Sequence, residues 1–250
     1  MTALSAIPIR GISEICSGDD LASLILRALR SQRISLRRGD IIVVKHKIVS
    51  KAEGRIVRLA AVRPSPRAKR WAKQNGLDTH ASHLAFTESR RVVRQQRGIL
   101  ITETRHGLVC ANSGVDLSNV DGGRSAALLP LDPDRSAEAL HVALRRATGL
   151  RVPVIIADSF GRPWREGLCE VAIGVAGMKP LLDYRGRRDP HGYRLRVTQE
   201  AVADELAGVA GLVCGKLART PACVIRGFRY PAGKGRARDL IRPRKLDLFR

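Results

Sequence analysis

The 250-residue chain carries 45 Lys and Arg against 23 Asp and Glu, a formal net charge of +22, with 44% hydrophobic and 4% aromatic residues. That hydrophobic content is enough to offset the entropy of ordering, so the charge does not imply disorder, and the length suits one large domain or two small ones. No run approaches the ~18 to 20 apolar residues of a membrane span, and the opening MTALSAIPIR has no basic segment followed by an apolar stretch, which argues against membrane insertion and secretion.

In chain order, Asp20 caps a predicted helix whose Leu21, Leu24, Ile25, Ala28 and Leu29 keep an i, i+3, i+4, i+7, i+8 spacing, with Arg27 and Arg30 outside. Gly39-Asp40 is a turn, and Ile41-Ile42-Val43-Val44 reads as a buried strand. The next eleven residues, Lys45 to Arg55, crowd three Lys, a His, a Glu and an Arg around that strand's end, a density structure alone does not require. Pro64-Ser65-Pro66 opens a helix to about Gln74, and residues 78 to 97 read as a polar, Arg-rich surface helix. Ile99 to Thr102 and Gly107 to Cys110 form two strands of a hairpin turning at Thr104 to His106. Residues 111 to 119 are a small, polar loop. A helix is expected from about Ser136 to Thr148 with Leu140, Leu144 and Ala147 inward, followed by a strand from Val152 to Ala157 that runs into Asp158-Ser159. Residues 161 to 197 read as mixed loops and short strands. A helix from Thr198 to about Leu212 with Val202, Leu206 and Val209 on one face precedes the strand Ala222 to Ile225. From Arg226 to Arg250 nine Lys or Arg stand against Asp239 and Asp247, the composition of a mobile basic tail. There is no internal repeat and no linker long enough to separate two independent domains.

A pI near 11.2 invites a nucleic-acid partner, but helix-turn-helix, zinc-finger and RNP-type signatures are missing and the nine aromatic residues are too few for a stacking platform. The charge equally fits solvated Arg-rich faces, or a field that concentrates small polyanions such as nucleotides. Five cysteines at 16, 110, 169, 214 and 223, with no C-x-x-C pair, fit neither a disulfide framework nor a zinc ribbon and read as buried thiols of a reducing cytoplasm. Cys110 and Cys169 have no recognisable base in sequence, so buried thiols are the preferred reading for them. His46, His106 and His191 lack the i, i+4 spacing of a zinc helix, and His80 with His83 is an i, i+3 pair on the predicted surface helix. Asp116 and Asp158 each follow an apolar segment, beside Asn119 and Ser159, and such oxygen-rich pairs suit Mg²⁺ or Mn²⁺, although a capping role serves loop aspartates equally. Lys47 and Lys51 could neutralise phosphates, but neither G-x-x-x-x-G-K-[ST] nor a strand followed by G-x-G-x-x-G occurs, so a nucleotide site must be of another kind.

Taken together, GDIIVVKHKIVSKAEGR (39 to 55), CANSGVDLSNV (110 to 120), ADSFGRPWREGLCEVAIGVAGMKPLLDYRG (157 to 186) and TQEAVADELA (198 to 207) resemble the coenzyme F-420 γ-glutamyl ligase family in wording, order and spacing, over about residues 5 to 228. The resemblance implies an α+β fold of mixed sheets with flanking helices in an intertwined homodimer, a ligase domain over 1 to 228, and a basic tail over 229 to 250. It implies a cytoplasmic enzyme that joins L-glutamate to a deazaflavin coenzyme precursor, then adds γ-linked glutamates, with GTP as co-substrate and an acyl phosphate as intermediate. Two divalent ions, Mg²⁺ or Mn²⁺, and K⁺ are the implied cofactors.

Carried over by position, Asp116, Asp158 and Ser159 match metal ligands. Gly11, Ile12, Ser13, Glu14, His46, Lys47, Lys51 and Asn119 match GTP contacts, and Asp116, Asp158 and Lys51 the catalytic set. Ser13 stands where relatives often have Pro, and Lys216 where some archaeal relatives have an acidic or amide side chain that helps hold the second metal; a protonated lysine cannot do that. Arg162 and Arg165, just after the metal-ligand motif, are expected to meet the phosphodiester or glutamyl carboxylate. A chain ending at Arg250, without the flavin-binding domain of many actinobacterial relatives, is expected to have the ligase activity alone. Two alternatives stay open: the same chemistry on a different acceptor, or a non-catalytic protein whose basic tail binds RNA or DNA.

Overall fold

The computed structural model describes residues 3–248. In chain order the elements are β1 (Ser5–Ile9), α1 (Leu21–Ser31), β2 (Ile41–Lys45), α2 (His46–Ala52), β3 (Ile56–Arg58), α3 (Pro66–Asn75), α4 (Thr79–Glu88), β4 (Ser89–Gln96), β5 (Ile99–Thr104) and β6 (Val109–Ala111). They continue with β7 (Ser125–Ala127), α5 (Pro133–Thr148), β8 (Val154–Arg162), β9 (Arg165–Ala176), β10 (Leu182–Asp183), β11 (Gln199–Glu200), α6 (Val202–Cys214) and β12 (Ala222–Arg226). This is an α+β arrangement of several sheets and helices.

The main sheet has the order β1-β12-β2-β8-β9, antiparallel throughout except for the parallel pair β2 and β8, in which Val44 lies beside Ile156 and Lys45 beside Ala157. Its central strands are apolar on both faces because both faces are covered. Ile42, Val44, Val154, Ile156, Ile173 and Val224 pack against α1 and α5, and Ile41, Val43, Ile155, Ala157, Ala172 and Ile225 pack against α6. The alternation follows from successive strand side chains pointing to opposite faces. Gly174 sits where β9 passes under the start of α5; a Cβ there would lie 2.3 Å from the Pro133 carbonyl oxygen, so only glycine lets helix and strand meet at this distance. At the far edge Arg226 makes two 2.8 Å bonds to the buried Asp40 carboxylate and donates to Ser35 O, clasping β12 to the turn before β2.

A smaller layer combines β4-β5-β6, the β3-β7 pair, α3 and α4 around Leu84, Ala126 and Leu128. Its task is to hold the 112–123 loop against the main sheet. Asn112, Ser113, Asn119 and Asp121 all adopt positive φ, between 42° and 56°, a conformation non-glycine residues keep only when their surroundings enforce it. Ser113 is the anchor: its N–H donates to Thr102 Oγ1 (2.9 Å) and its hydroxyl to Ala85 O (2.7 Å).

Several expectations hold. Asp20 caps α1 by accepting from Ala22 and Ser23 N–H, Ser65 caps α3, and the 99–111 hairpin and the strands at 41 and 222 occur as expected. Others are corrected. The helix expected over 78–97 ends at Glu88, and Ser89–Gln96 is a strand, because Val92 and its neighbours pair with β5 through two register shifts. α5 starts at Pro133 rather than Ser136, since Asp132 accepts from Arg135 N–H and Pro is tolerated in the first turn. Ala147 faces solvent, and Ala137 joins Leu140 and Leu144 inside. α6 begins at Val202, not Thr198, because Gln199 and Glu200 pair with β10. Within 161–197 the longest strand of the protein, β9, runs from Arg165 to Ala176.

The segment after Arg226, expected to be mobile, is held. Ala237 is buried at 3% exposure, and its N–H and that of Arg238 donate to the Asp134 carboxylate, which also accepts from Val175 N–H. The outer ends of the expected division into 1–228 and 229–250, residues 1–2 and 249–250, lie outside the described residues. Asp134 thus joins α5, β9 and the C-terminal segment at one carboxylate. Asp134→Ala is expected to lower unfolding free energy by about 2 kcal/mol, from lost charge-assisted bonds, and to accelerate amide exchange at Ala237 and Arg238 ahead of the core; slow exchange at both would show that the segment is held by other contacts.

Candidate active site

The parallel pairing of β2 with β8 leaves both strands' carboxyl ends side by side, the usual place for a binding crevice in a mixed sheet. A cleft of about 700 Å³ opens there. It is lined by Ile12, Ser13 and Glu14 before α1, Lys45, His46, Lys47 and Lys51 at the end of β2 and along α2, and Asp116 and Asn119 from the strained loop. Asp158, Ser159 and Glu170 from β8 and β9 line it too, with Lys216 and Thr220 from the turn after α6. Segments more than 200 residues apart in sequence therefore meet in one cavity.

Nearly every acid in the cleft faces a cation. Lys47 Nζ lies 2.7 Å from Asp116 Oδ2 and also donates to the Ser118 carbonyl and hydroxyl at 2.7 and 2.9 Å. Burial pushes the Asp116 carboxyl up, but the Lys47 hydrogen bond, the Ser118 N–H and the Lys47 charge outweigh it and hold the group below the usual carboxylate range. Lys51 pairs with Glu14 and Lys45 with Glu170. His46, 2% exposed, directs Nε2 at Asp158 Oδ1 from 3.3 Å without the alignment of a good hydrogen bond, while its Nδ1 meets Ser50 Oγ at 3.3 Å. Asp158 Oδ1 also accepts the Ser159 N–H at 2.7 Å, and Lys216 Nζ donates to the Ser159 hydroxyl. Cys110 is buried as expected, with Cys214 and Cys223, and burial followed by Asp158's charge pushes its thiol up to about 12, whereas Cys16 is exposed and Cys169 half-buried, against the expectation of buried thiols.

The hard oxygens of Asp116, Asp158 and Ser159 suit a divalent ion such as Mg²⁺ or Mn²⁺. Among the described residues no three His, Cys, Asp or Glu side chains converge as a complete metal cage. Two carboxylates with a hydroxyl, Asp116, Asp158 and Ser159, suit an ion whose remaining ligands are water and phosphate, which is how Mg²⁺ is commonly bound beside nucleotides. The residues present fit such an ion.

Of the residues singled out in sequence, Ile12, Ser13, Glu14, His46, Lys47, Lys51, Asp116, Asn119, Asp158 and Ser159 line this cleft, with Gly11 (φ 73°) forming the turn just before it. Arg162 and Arg165 do not line it. They face each other at the tip of the β8–β9 hairpin, where Arg162 Nη2 donates to Glu166 O and Arg165 is exposed. Sequence reasoning missed Lys45 and Glu170 as site residues. Lys45 had a signal in its place at the end of an apolar strand; Glu170 had none, because its position depends on the β8–β9 register that sets it opposite Ser159.

With this geometry in place, comparison with known proteins shows that residues 10–227 match the family model described as F420-0:Gamma-glutamyl ligase. The chain is 46% identical over 252 residues to the coenzyme F420:L-glutamate ligase of Methanothermobacter thermautotrophicus, covering 99% of each chain. It is 44% identical over 213 residues to that of Methanocaldococcus jannaschii, covering 85% of each, and 41% identical over 248 residues to that of Archaeoglobus fulgidus, covering 99% of this chain and 96% of the relative.

The sign of the Asp116 shift makes a prediction. Its pKa is depressed in the folded state, so its contribution to stability is present above the unfolded value and is lost as pH falls through the folded value. In Lys47→Met the burial effect stands with fewer opponents, and the Asp116 carboxyl is expected to titrate at higher pH in a ¹³C NMR titration of the ligand-free protein. An unchanged titration would mean that the Ser118 contacts alone hold the carboxylate.

Proposed function

The chain belongs to the F420-0:gamma-glutamyl ligase family and is a ligase that forms amide bonds, and from this premise we propose that it joins L-glutamate to the F420-0 precursor with cleavage of GTP and then extends the product through γ-linkages. The observation that carries the proposal is the convergence of Asp116, Asp158 and Ser159 with His46, Lys47 and Lys51 in one cleft, although they come from three distant stretches of sequence.

In this reading a carboxylate oxygen of the acceptor attacks the γ-phosphorus of GTP. An O–P bond forms, the bond to the β,γ-bridging oxygen breaks, and GDP leaves. The amine of L-glutamate then attacks the acyl carbon; the C–N bond forms, the C–O bond to phosphate breaks with its electron pair leaving on phosphate, and the amine loses a proton to solvent or a nearby base. Lys47 and Lys51 orient the phosphates, exchanging their present partners Asp116 and Glu14 for the nucleotide, and His46 stands behind Asp158 to keep its carboxylate directed into the cleft. Asp116, Asp158 and Ser159 would hold Mg²⁺ or Mn²⁺, which when bound offsets the charge of the phosphates. The protein's positive balance suits such partners, since nucleotide and precursor are both polyanions.

The homodimer expected from the family has support in exposed apolar side chains, Trp164 and Leu168 on the β8–β9 hairpin and Leu212 and Leu217 around the end of α6, whose fractional exposures run from 61% to 89%. Light scattering is expected to give twice the 27.3 kDa chain mass, and a monomer would remove that part of the proposal. Among the described residues no helix is long and apolar enough to cross a membrane.

The decisive experiment incubates the protein with F420-0, L-glutamate, GTP, KCl and MgCl₂ or MnCl₂ and follows products by mass spectrometry. Glutamate-sized mass increments are expected that require GTP, stop on chelation of the divalent ion and fall at least about a hundredfold in Asp158→Asn, the scale of removing one electrostatic contact to a transition state. GTP cleavage without increments on F420-0 would point to another acceptor. Increments that persist without GTP would overturn the nucleotide's part.

A further inference from the structure

The sheet divides the cleft in two. Asp158 lies on the face of β8 that packs toward α2 and α5, with His46, whereas Ser159, Glu170 and Lys45 follow Ala157, Ala172 and Val43 on the face that packs against α6. The residues given phosphate and metal functions above belong to the first half apart from Ser159, which stands on the second with its hydroxyl accepting from Lys216. The second half contains two charges whose partners are incomplete.

Glu170 has a side chain only 9% exposed. Its Oε1 pairs with Lys45, and its Oε2 is fully buried with no hydrogen-bond partner among the described residues, an arrangement that costs free energy unless a ligand supplies the donor. Space for the side chain comes from Gly211 on α6, where a Cβ would stand 2.5 Å from Glu170 Cγ. Across the strand pair from Glu170 is Ser159, whose hydroxyl accepts from Lys216. Lys216 has a neutral partner there and, among the described residues, no carboxylate. A carboxylate oxygen lacking a donor and an ammonium lacking an anion thus flank the same serine.

We propose that this half of the cleft is the receptor for the amino-acid substrate, with Glu170 Oε2 taking the amine of L-glutamate and Lys216 its α-carboxylate. The inference rests on the ligase reading above and names the subsite of its second substrate. The open Glu170 oxygen and the Lys216 ammonium select among ligands. A bare divalent cation at Glu170 would face the Lys45 and Lys216 ammonium groups with no anion of its own to offset them, and a phosphate would satisfy Lys216 but be repelled by Glu170. A zwitterionic α-amino acid satisfies both at once. The receptor also puts the amine beside Ser159, one residue from Asp158, where the activated carboxylate of the acceptor has to lie.

The test measures steady-state constants in Glu170→Gln, whose shape is preserved. The KM for L-glutamate is expected to rise about tenfold or more, the loss of one charge-assisted bond, with the KM values for GTP and F420-0 unchanged. Gly211→Ala, which pushes on the carboxylate without changing its charge, is expected to raise the same KM and serves if Glu170→Gln does not fold. Binding without turnover supplies a second readout by calorimetry. Wild type should prefer L-glutamate to glutarate, which lacks the amine, and to 4-aminobutyrate, which lacks the α-carboxylate; Glu170→Gln should lose the first preference and Lys216→Met the second. An unchanged KM for L-glutamate in both Glu170→Gln and Gly211→Ala, or a raised requirement for Mg²⁺ in place of it, overturns the assignment. If wild type adds no glutamate to F420-0, the ligase reading fails by itself, and the binding preferences still decide whether the amino-acid receptor exists.

Discussion

Four backbone pairings, Ile42 with Val154 through Lys45 with Ala157, hold β2 parallel to β8, and the rest of the site depends on them. They bring a lysine-rich strand end against an acidic one. An antiparallel pairing would have put the two ends on opposite sides of the sheet. Because β2 is followed at once by α2 while β8 runs on beyond its pairing with β2 as one arm of the β8–β9 hairpin, the first supplies cations from a helix and the second supplies oxygens from a strand. The cleft is the space left where these continuations diverge.

Charge in the cleft is arranged in near-neutral couples, Lys47 with Asp116, Lys51 with Glu14 and Lys45 with Glu170, inside a protein whose balance is strongly positive. Couples of this kind keep a ligand-free cleft from paying the full cost of facing like charges at close range. Under the proposed function, polyanion binding would be an exchange of partners, each ammonium leaving a carboxylate that a cation arriving with the nucleotide could take. The strained 112–123 loop serves the same end. Its left-handed residues aim Asp116 and Asn119 into the cleft, and the buried hydrogen bonds of Ser113 hold that shape.

Much of the scaffold was legible from residues close in sequence. Asp20 and Ser65 mark helix starts by capping, Ile41 to Val44 is a strand because both faces are covered, and the hairpin at 99–111 closes over a short turn. Segments whose state depends on a distant partner were not. Ser89–Gln96 is Arg-rich enough to pass for a helix and becomes a strand because β5 offers it an edge, and the basic C-terminal segment is held because Asp134, about 100 residues earlier, accepts its N–H groups.

The sequence by itself determined the ligase family and many of the side chains that line the cleft, since SKAEGR, SGVDLSN and ADSFG each carry their residues within a few positions of one another. Only the tertiary structure decided that the acids and lysines pair as they do, that Arg162 and Arg165 stand at a hairpin tip outside the cleft, and that Glu170 is part of it. The physical reason is register. A side chain's face and neighbour in a sheet follow from which residue of another strand it pairs with, and a one-residue slip in β8–β9 would send Glu170 to the opposite side.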